Sequence, residues 1–211
     1  MKAWVIASVG AIFGVLAGCL IKPGLSNGQE VTPVTKTYQD RQSLKADELP
    51  YKSARLILAG TSLPVEMNRV QKGNDVSFRL VTRNEVLETE RFQSDATGFR
   101  FAGLSDEHFV PPIPLVRYPF IVGESWQWSG VAGLGPNEKA ATANLRSDSE
   151  TINLAGGVHG CIVVVADLVV HTSTGTDSKR TLKFWIEPQK GLIKREFGFS
   201  STREPRPAGS P

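Results

Sequence analysis

The stretch Cys161-Ile162-Val163-Val164-Val165-Ala166-Asp167-Leu168-Val169-Val170 decides the fold of this chain. It is almost entirely apolar and rich in β-branched residues, which favours an extended backbone. A strand with one face in water would alternate between apolar and polar residues, and this stretch does not. The pattern therefore predicts a central strand that is covered on both faces.

Other segments of the chain do alternate, with apolar residues at every second position. The apolar members of the two clearest segments are Val76, Phe78, Leu80, Leu182, Phe184 and Ile186. Such alternation is typical of strands with one buried face, and Gly- and Asn-containing turns separate the segments. We therefore predict an all-β domain. Its antiparallel sheet is strongly curved or forms a sandwich or half-barrel, with short helical turns at most.

Composition divides the 211 residues into four parts. Residues 1–18 are predicted to be an export signal, and residues 51–200 form the antiparallel β domain. Residues 19–50 contain several Pro, Gly and polar residues and are predicted to be a flexible tether, with at most a helical turn at 43–49. Residues 201–211 are polar and proline-rich, which predicts a disordered tail.

The N-terminus has the order of a secretory signal, with Lys2 followed by an uncharged, mainly apolar run. Leu16-Ala17-Gly18-Cys19 then resembles the lipobox of bacterial lipoproteins. The resemblance implies cleavage between Gly18 and Cys19 and lipidation of the Cys19 thiol. Two alternatives stay open, an uncleaved signal anchor and a protein secreted without lipid.

The predicted partner of this N-terminus is a membrane, reached through the lipid anchor at Cys19. Two or more acyl chains give a stable anchor, whereas a single chain binds only marginally. Leu20 rather than Asp follows the cysteine, which by resemblance to the enteric sorting rule favours the outer membrane, facing the periplasm.

The charge is nearly balanced, with 24 basic and 21 acidic residues, so we expect no nucleic-acid partner. If lipid occupies Cys19, then Cys161 has no disulfide partner. Because it lies in an apolar run, Cys161 is interpreted as a small buried hydrophobic residue.

The sequence contains no recognisable active site, and we expect neither an enzyme nor a cofactor. His108, His159 and His171 are far apart and lack metal-ligand spacing. No nucleophile elbow or phosphate loop is present. The glycine-rich residues 130–135 are interpreted as a plain loop. The pair Glu88 and Glu90 is interpreted as occupying ordinary polar strand positions.

Trp126 and Trp128 are the strongest candidates for a binding site. A strand would place both rings on one face, where they could line an apolar cleft or fill the core. The neighbouring residues 110–115 are apolar and proline-rich. Pro112 and Leu115 are therefore predicted to contribute to the edge of such a cleft, if one exists.

Three segments, residues 112–126, 154–164 and 184–196, together resemble the TapB-like family of bacterial exported β domains. The family shows, in order, a P-x-x-x-G-x-x-W stretch, a strand with the pattern G-x-x-x-C/A-x-x-V, and a closing aromatic strand ending in G-L-V-K, where this chain has Gly191-Leu192-Ile193-Lys194. This chain departs from the family by inserting Gly157-Val158-His159-Gly160 in place of a single-glycine turn. The resemblance implies an architecture and residence in the cell envelope.

Three functions remain open from the sequence. The first is a non-enzymatic envelope lipoprotein whose β domain binds an apolar ligand such as a lipid. The second is a structural or assembly lipoprotein that binds an envelope protein. The third is a hydrolase whose catalytic residues follow no recognised pattern.

Overall fold

The computed structural model describes residues 36–134, 137–172, 175–198 and 201–206. The chain divides into two units, Met1–Pro33 and Val34–Pro211, and every described residue belongs to the second. The predicted signal, its cleavage site at Gly18 and Cys19, and the tether up to residue 35 lie outside the described residues. They stay predictions.

The described residues contain one short helix and fourteen strands. The helix α1 is Arg41–Leu44, and the strands are β1 Thr37–Tyr38, β2 Ser53–Leu58, β3 Thr61–Lys72, β4 Asp75–Thr82, β5 Glu85–Asp95, β6 Gly98–Leu104, β7 Glu107–Arg117, β8 Phe120–Ile121, β9 Ser125–Leu134, β10 Asn137–Leu154, β11 Gly157–Val170, β12 Ser178–Glu187, β13 Gly191–Phe197 and β14 Ser201–Pro205.

Twelve of these strands close into one antiparallel barrel, in the order β10-β11-β12-β13-β14-β2-β3-β4-β5-β6-β7-β9. The remaining two, β1 and β8, pair with each other. The predicted all-β, antiparallel class is confirmed, and the sheet closes further than the predicted half-barrel. Closure pairs the sheet edges that would otherwise be open to other chains.

The position of β11 in the barrel explains why its sequence is apolar on both faces. It lies between β10 and β12, as predicted for a central strand. Ile162 and Val164 point into the main core. Cys161 and Val163 belong to a separate apolar cluster with Trp185 on the other face.

Phenylalanines fill the inside of the barrel and join its opposite walls. Phe184 of β12 has its ring centroid 6.5 Å from that of Phe92 in β5 and 5.2 Å from that of Phe101 in β6. β12 is far from β5 and β6 around the sheet. An eight-stranded barrel is just wide enough for side chains to fill, so a twelve-stranded one must be flattened for these rings to meet.

Residues 37–50 form a plug at one end of the barrel, in contrast to the predicted tether, which extended to residue 50. Leu44 and Ala46 are fully buried in the core. Asp40 caps α1 by accepting from the N–H of Ser43, at 2.8 Å. Burial of these apolar side chains holds the segment in place. They are too few to form a periodic pattern, so the sequence did not predict that this segment is packed.

The predicted tail is also wrong for its first five residues. Ser201–Pro205 forms β14, which pairs with β13 on one side and β2 on the other and so completes the barrel. Arg203 of this strand is fully buried. A strand with Arg and Glu at buried positions does not show the apolar alternation on which the sequence prediction relied.

Residues 130–134, predicted as a loop, belong to β9. The reason is close approach of the neighbouring strand, since a Cβ at Gly130 would overlap the main chain of Val110 and one at Gly133 would overlap the His108 ring. Glycine within a strand often marks such an approach of another backbone.

Candidate functional site

The predicted site residues Trp126 and Trp128 lie in the hydrophobic core, each 7% exposed. Their rings make edge contacts with phenylalanines: Trp126 with Phe120 at 6.2 Å and Trp128 with Phe109 at 6.0 Å. Buried indoles need a hydrogen-bond acceptor. The N–H of Trp126 donates to the Pro114 carbonyl at 2.8 Å, and that of Trp128 to the Pro111 carbonyl at 2.9 Å.

The proline-rich segment next to them is part of strand β7. Pro112 is half-buried and Leu115 is fully buried within β7. β7 pairs with β6 at both of its ends, with irregular register between them, and the carbonyls of Pro111 and Pro114 accept the two tryptophan N–H groups. Of the four residues proposed as a cleft, Trp126, Trp128 and Leu115 thus lie in the packed core, and Pro112 is half-buried.

A cluster of charged side chains, which the sequence prediction missed, lies inside the barrel. This buried charge cluster consists of Glu88 and Glu90 from β5, Arg195 from β13, and Arg203 from β14. The side chains of Glu90 and both arginines are fully buried. Glu88 and Glu90 therefore do not occupy the ordinary polar strand positions expected from the sequence.

Glu90 is the centre of the cluster. Arg195 Nε donates to Glu90 Oε1 at 2.9 Å, and Arg203 Nε donates to the same oxygen at 2.7 Å. Arg203 Nη2 donates to Glu90 Oε2 at 3.1 Å. A fork of two donors from one arginine to one carboxylate gives the strongest type of ion pair.

The remaining nitrogen atoms of the two guanidinium groups also have acceptors. Arg195 donates to Glu88 and to the hydroxyl of Ser201. Arg203 donates to the hydroxyl of Tyr51, which itself donates to the Ile193 carbonyl at 2.6 Å. The network therefore ties β5 to β13 and β14 across the barrel.

Burial and charge shift the pKa values of this cluster in different directions. Burial alone would raise the pKa of Glu90, but Arg203 and Arg195 outweigh it and hold that pKa below its usual value. Burial raises the pKa of Glu88, which only one arginine contacts. Burial also raises the pKa of Tyr51, to about 12.

Perturbed pKa values often mark catalytic groups, but here the geometry favours a structural role. The charged groups neutralise one another, and the surface concavities described below include none of them in their walls. A substrate would have to displace a buried ion pair to reach Glu90. The cluster can fix the register of the closing strands.

Each of the three histidines lies beside a different carboxylate. His108 lies 3.1 Å from Glu138, His159 lies 2.8 Å from Glu187, and His171 lies 3.1 Å from Asp177. Among the described residues no three potential metal ligands lie together.

Cys161 is 4% exposed in the apolar cluster outside the barrel. Burial, together with the nearby carboxylates of Glu187 and Glu150, raises its pKa to about 12. A thiol with so high a pKa is a poor nucleophile. This agrees with the interpretation of Cys161 as a buried hydrophobic residue.

Several concavities lie on the outer surface, and their walls contain both polar and apolar groups. One of about 700 Å³ borders the plug, with Arg41, Lys45, Glu48 and Lys190 in its wall. Another of about 250 Å³ lies between Lys36, Tyr38 and the strand residues 149–151. The Tyr38 hydroxyl is buried without a hydrogen-bond partner in the described residues. No helix among the described residues has the length and apolar character needed to cross a bilayer.

The chain matches no protein-family model and no curated protein, so the likeness to the TapB-like family stays a prediction. Solved structures with a similar fold include the hypothetical lipoprotein YmcC from Escherichia coli, at 12% identity and a TM-score of 0.43, covering 74% of this chain and 85% of that one. A "putative lipoprotein" from Parabacteroides distasonis has 9% identity and a TM-score of 0.44, covering 77% of this chain and 96% of that one.

A third solved structure is a "putative exported protein with YmcC-like fold" from Bacteroides fragilis, with 14% identity and a TM-score of 0.38. It covers 72% of this chain and 91% of that one.

Proposed function

We propose that this chain is a lipid-anchored protein of the bacterial envelope whose barrel serves as an assembly module, binding a protein partner through its outer surface. The observation that carries the proposal is the filled interior of the barrel. Phenylalanines, two tryptophans and a neutralised charge cluster occupy the space that a carrier of apolar molecules would leave open.

The filled core argues against the other candidate, an apolar-ligand carrier. Ligand pockets typically have about 300–1,000 Å³ and mostly apolar walls. To open such a space here, Trp126 or Trp128 would have to leave its hydrogen bond and its phenylalanine neighbour. Emptying the site of a large core side chain costs about 3–5 kcal/mol, which a bound lipid would have to offset.

The anchor belongs to the same proposal. In it, Cys19 carries acyl chains such as palmitate, and Leu20 directs the protein to the outer membrane with the barrel facing the periplasm. In this proposal the 17 residues between Cys19 and β1 act as the tether that the sequence predicts, and a flexible tether of that length has an end-to-end distance of roughly 20–25 Å. The anchor would therefore hold the barrel close to the membrane, where envelope partners are concentrated.

The anchor is tested with Cys19→Ser. We expect this variant to remain an uncut precursor and to incorporate no labelled fatty acid, because the thiol is the acceptor of the lipid. The measurement is metabolic labelling with palmitate, followed by the mass of the purified chain. Cys161→Ser is the matched control and should label like the wild type. Undiminished label in Cys19→Ser would contradict the anchor.

The assembly role is tested on full-length protein extracted from its own membranes in mild detergent. We expect it to elute in a complex well above 22.9 kDa, the mass of the whole 211-residue chain before signal cleavage, and to contain no stoichiometric lipid beyond its own acyl groups. Light scattering and lipid mass spectrometry measure the two properties. A monomer carrying one extractable lipid per chain would instead identify a carrier. The same protein mass after extraction in a second detergent with a different micelle size would exclude a shared micelle as the cause.

A further inference from the structure

The ribbon formed by β10 and β11 extends beyond the strands on either side of it. β10 pairs with β9 only as far as Arg146, opposite Ser125. β10 and β11 continue to pair with each other up to Leu154 and Gly157. Among the described residues, no strand pairs with the β9 side of residues 148–154. We call this side of β10 the open edge.

The direction of the main chain along the open edge follows from two hydrogen bonds. The N–H of Ser147 donates to the Glu124 carbonyl at 2.9 Å, so it points to the β9 side. Main-chain groups alternate in direction along a strand, so Ser149, Thr151 and Asn153 point the same way. The Ser149 N–H donates to the carboxylate of Asp148 at 2.7 Å. The N–H and C=O groups of Thr151 and Asn153 are left facing outward.

Proteins usually block such edges with proline, lysine or a covering segment. Residues 147–158 contain neither proline nor lysine, and Thr151 and Asn153 are exposed. The concavity of about 250 Å³ that reaches Thr151 also contains Tyr38 in its wall, and the Tyr38 hydroxyl has no partner. A strand added at this edge would place its own main-chain donors and acceptors next to that concavity.

We propose that the open edge binds an extended segment of a partner protein, which adds to β10 as an antiparallel or parallel strand and presents basic side chains. This rests on the proposed assembly role. Strand addition takes its affinity from main-chain hydrogen bonds and its selectivity from alternate side chains. The only charged side chains of residues 147–158 are those of Asp148 and Glu150, on the same face of β10. Arg146 on that face is paired with Asp167 at 2.5 Å, whereas Asp148 forms no ion pair among the described residues, which favours lysine or arginine in the partner.

The probe for this proposal is the peptide acetyl-Lys-Val-Lys-Thr-Lys-Val-Thr-amide, which places its lysines on one face of a strand. We expect it to shift the amide resonances of Thr151 and Asn153 in the full-length protein and to protect both from hydrogen exchange. The same peptide with glutamate in place of lysine should bind at least ten-fold more weakly. Absence of binding by the lysine peptide would overturn the proposal.

The variant Thr151→Pro tests whether the peptide binds by pairing with the open edge or in another way. Proline removes an N–H that points outward and takes no part in the ladder with β11, so the ribbon should stay folded. We expect binding to fall at least ten-fold in Thr151→Pro and to change less than two-fold in Thr151→Val. If Thr151→Pro unfolds the ribbon, a probe methylated on alternate main-chain nitrogens gives the same test on the wild type. Equal binding of the methylated and unmethylated probes would contradict strand addition.

The complex extracted from membranes distinguishes this proposal from the assembly role itself. Loss of the complex in Thr151→Pro, but not in Thr151→Val, supports the open edge as the docking site. A complex that survives in Thr151→Pro refutes the edge and leaves the assembly role intact. A homodimer that Thr151→Pro dissolves would overturn the proposal in favour of a second copy of this chain.

Discussion

Glu90→Gln is expected to lower the free energy of unfolding by about 3–5 kcal/mol, because it leaves two buried guanidinium groups without their shared counter-charge. The glutamine side chain keeps the shape of glutamate and can still accept a hydrogen bond. It cannot compensate the charges of Arg195 and Arg203, both fully buried. Urea unfolding at neutral pH, followed by tryptophan fluorescence, measures the loss.

Glu138→Gln is the matched control, since it makes the same chemical change in an exposed pair with His108. An exposed ion pair contributes about 0–1 kcal/mol, so this variant should unfold close to the wild type. If both variants lose the same small amount of stability, the buried charge cluster does not support the barrel.

The pH dependence of the Glu90 effect has a definite sign. A carboxyl whose folded pKa lies below its unfolded pKa stabilises the fold above the unfolded value, and the stabilisation is lost as pH falls through the folded value. The pKa of Glu90 is lowered in this way. Glu88, with its raised pKa, takes up a proton first and opposes that loss over part of the range. The difference in free energy of unfolding between the wild type and Glu90→Gln should therefore be largest near neutral pH and smaller in acid.

The sequence predicts little of this cluster, because alternation with a period of two reveals a buried strand face only where that face is apolar. Apolar alternation identified the strands around Phe78 and Phe184 and the central strand β11, because their buried faces carry hydrophobic side chains. β14 was missed, since its buried residue Arg203 is polar and only a partner on a distant strand makes its burial favourable. One usable signal was present: Glu88 and Glu90 share a strand face with Phe92, which places carboxylates on an apolar face.

The same limit applies to the candidate site. Spacing correctly placed Trp126 and Trp128 on one face of a strand, but it could not distinguish a cleft from a core. That choice depends on what packs against the rings, and here phenylalanines do: Phe109 of the neighbouring strand β7 contacts Trp128, and Phe120 of β8 contacts Trp126. The plug was missed for a related reason, because Leu44 and Ala46 are too few to form a periodic pattern.

Gly191→Ala is expected to release the plug from the end of the barrel. Gly191 has a φ of +112°, and a Cβ there would overlap the carbonyl oxygen of Glu48. The adjacent N–H of Leu192 donates to that same carbonyl at 3.0 Å. The added methyl group therefore pushes away the acceptor that holds the plug, and Leu44 loses its buried position.

The size of the effect is the sum of backbone strain and lost packing. A non-glycine residue at a strained positive φ costs about 1–3 kcal/mol. Exposing a leucine side chain adds about 1.5–3 kcal/mol. Gly156→Ala is the matched control, because Gly156 has a φ of +103° and open space where the Cβ would stand. The control therefore has the backbone strain without the overlap with Glu48. The free energy of unfolding of Gly191→Ala should be lower than that of Gly156→Ala by about 2 kcal/mol.

Limited trypsin digestion reports on the plug directly. Lys45 follows α1, and its N–H donates to the Arg41 carbonyl at 2.7 Å, so cleavage after Lys45 requires the plug to open. We expect rapid cleavage after Lys45 in Gly191→Ala and slow cleavage in both the wild type and Gly156→Ala. Equal cleavage rates in the two variants would mean that strain, and not contact with Glu48, determines the effect. The plug would then be held by the side-chain donor of Gln189, which reaches the Ser43 carbonyl at 2.7 Å.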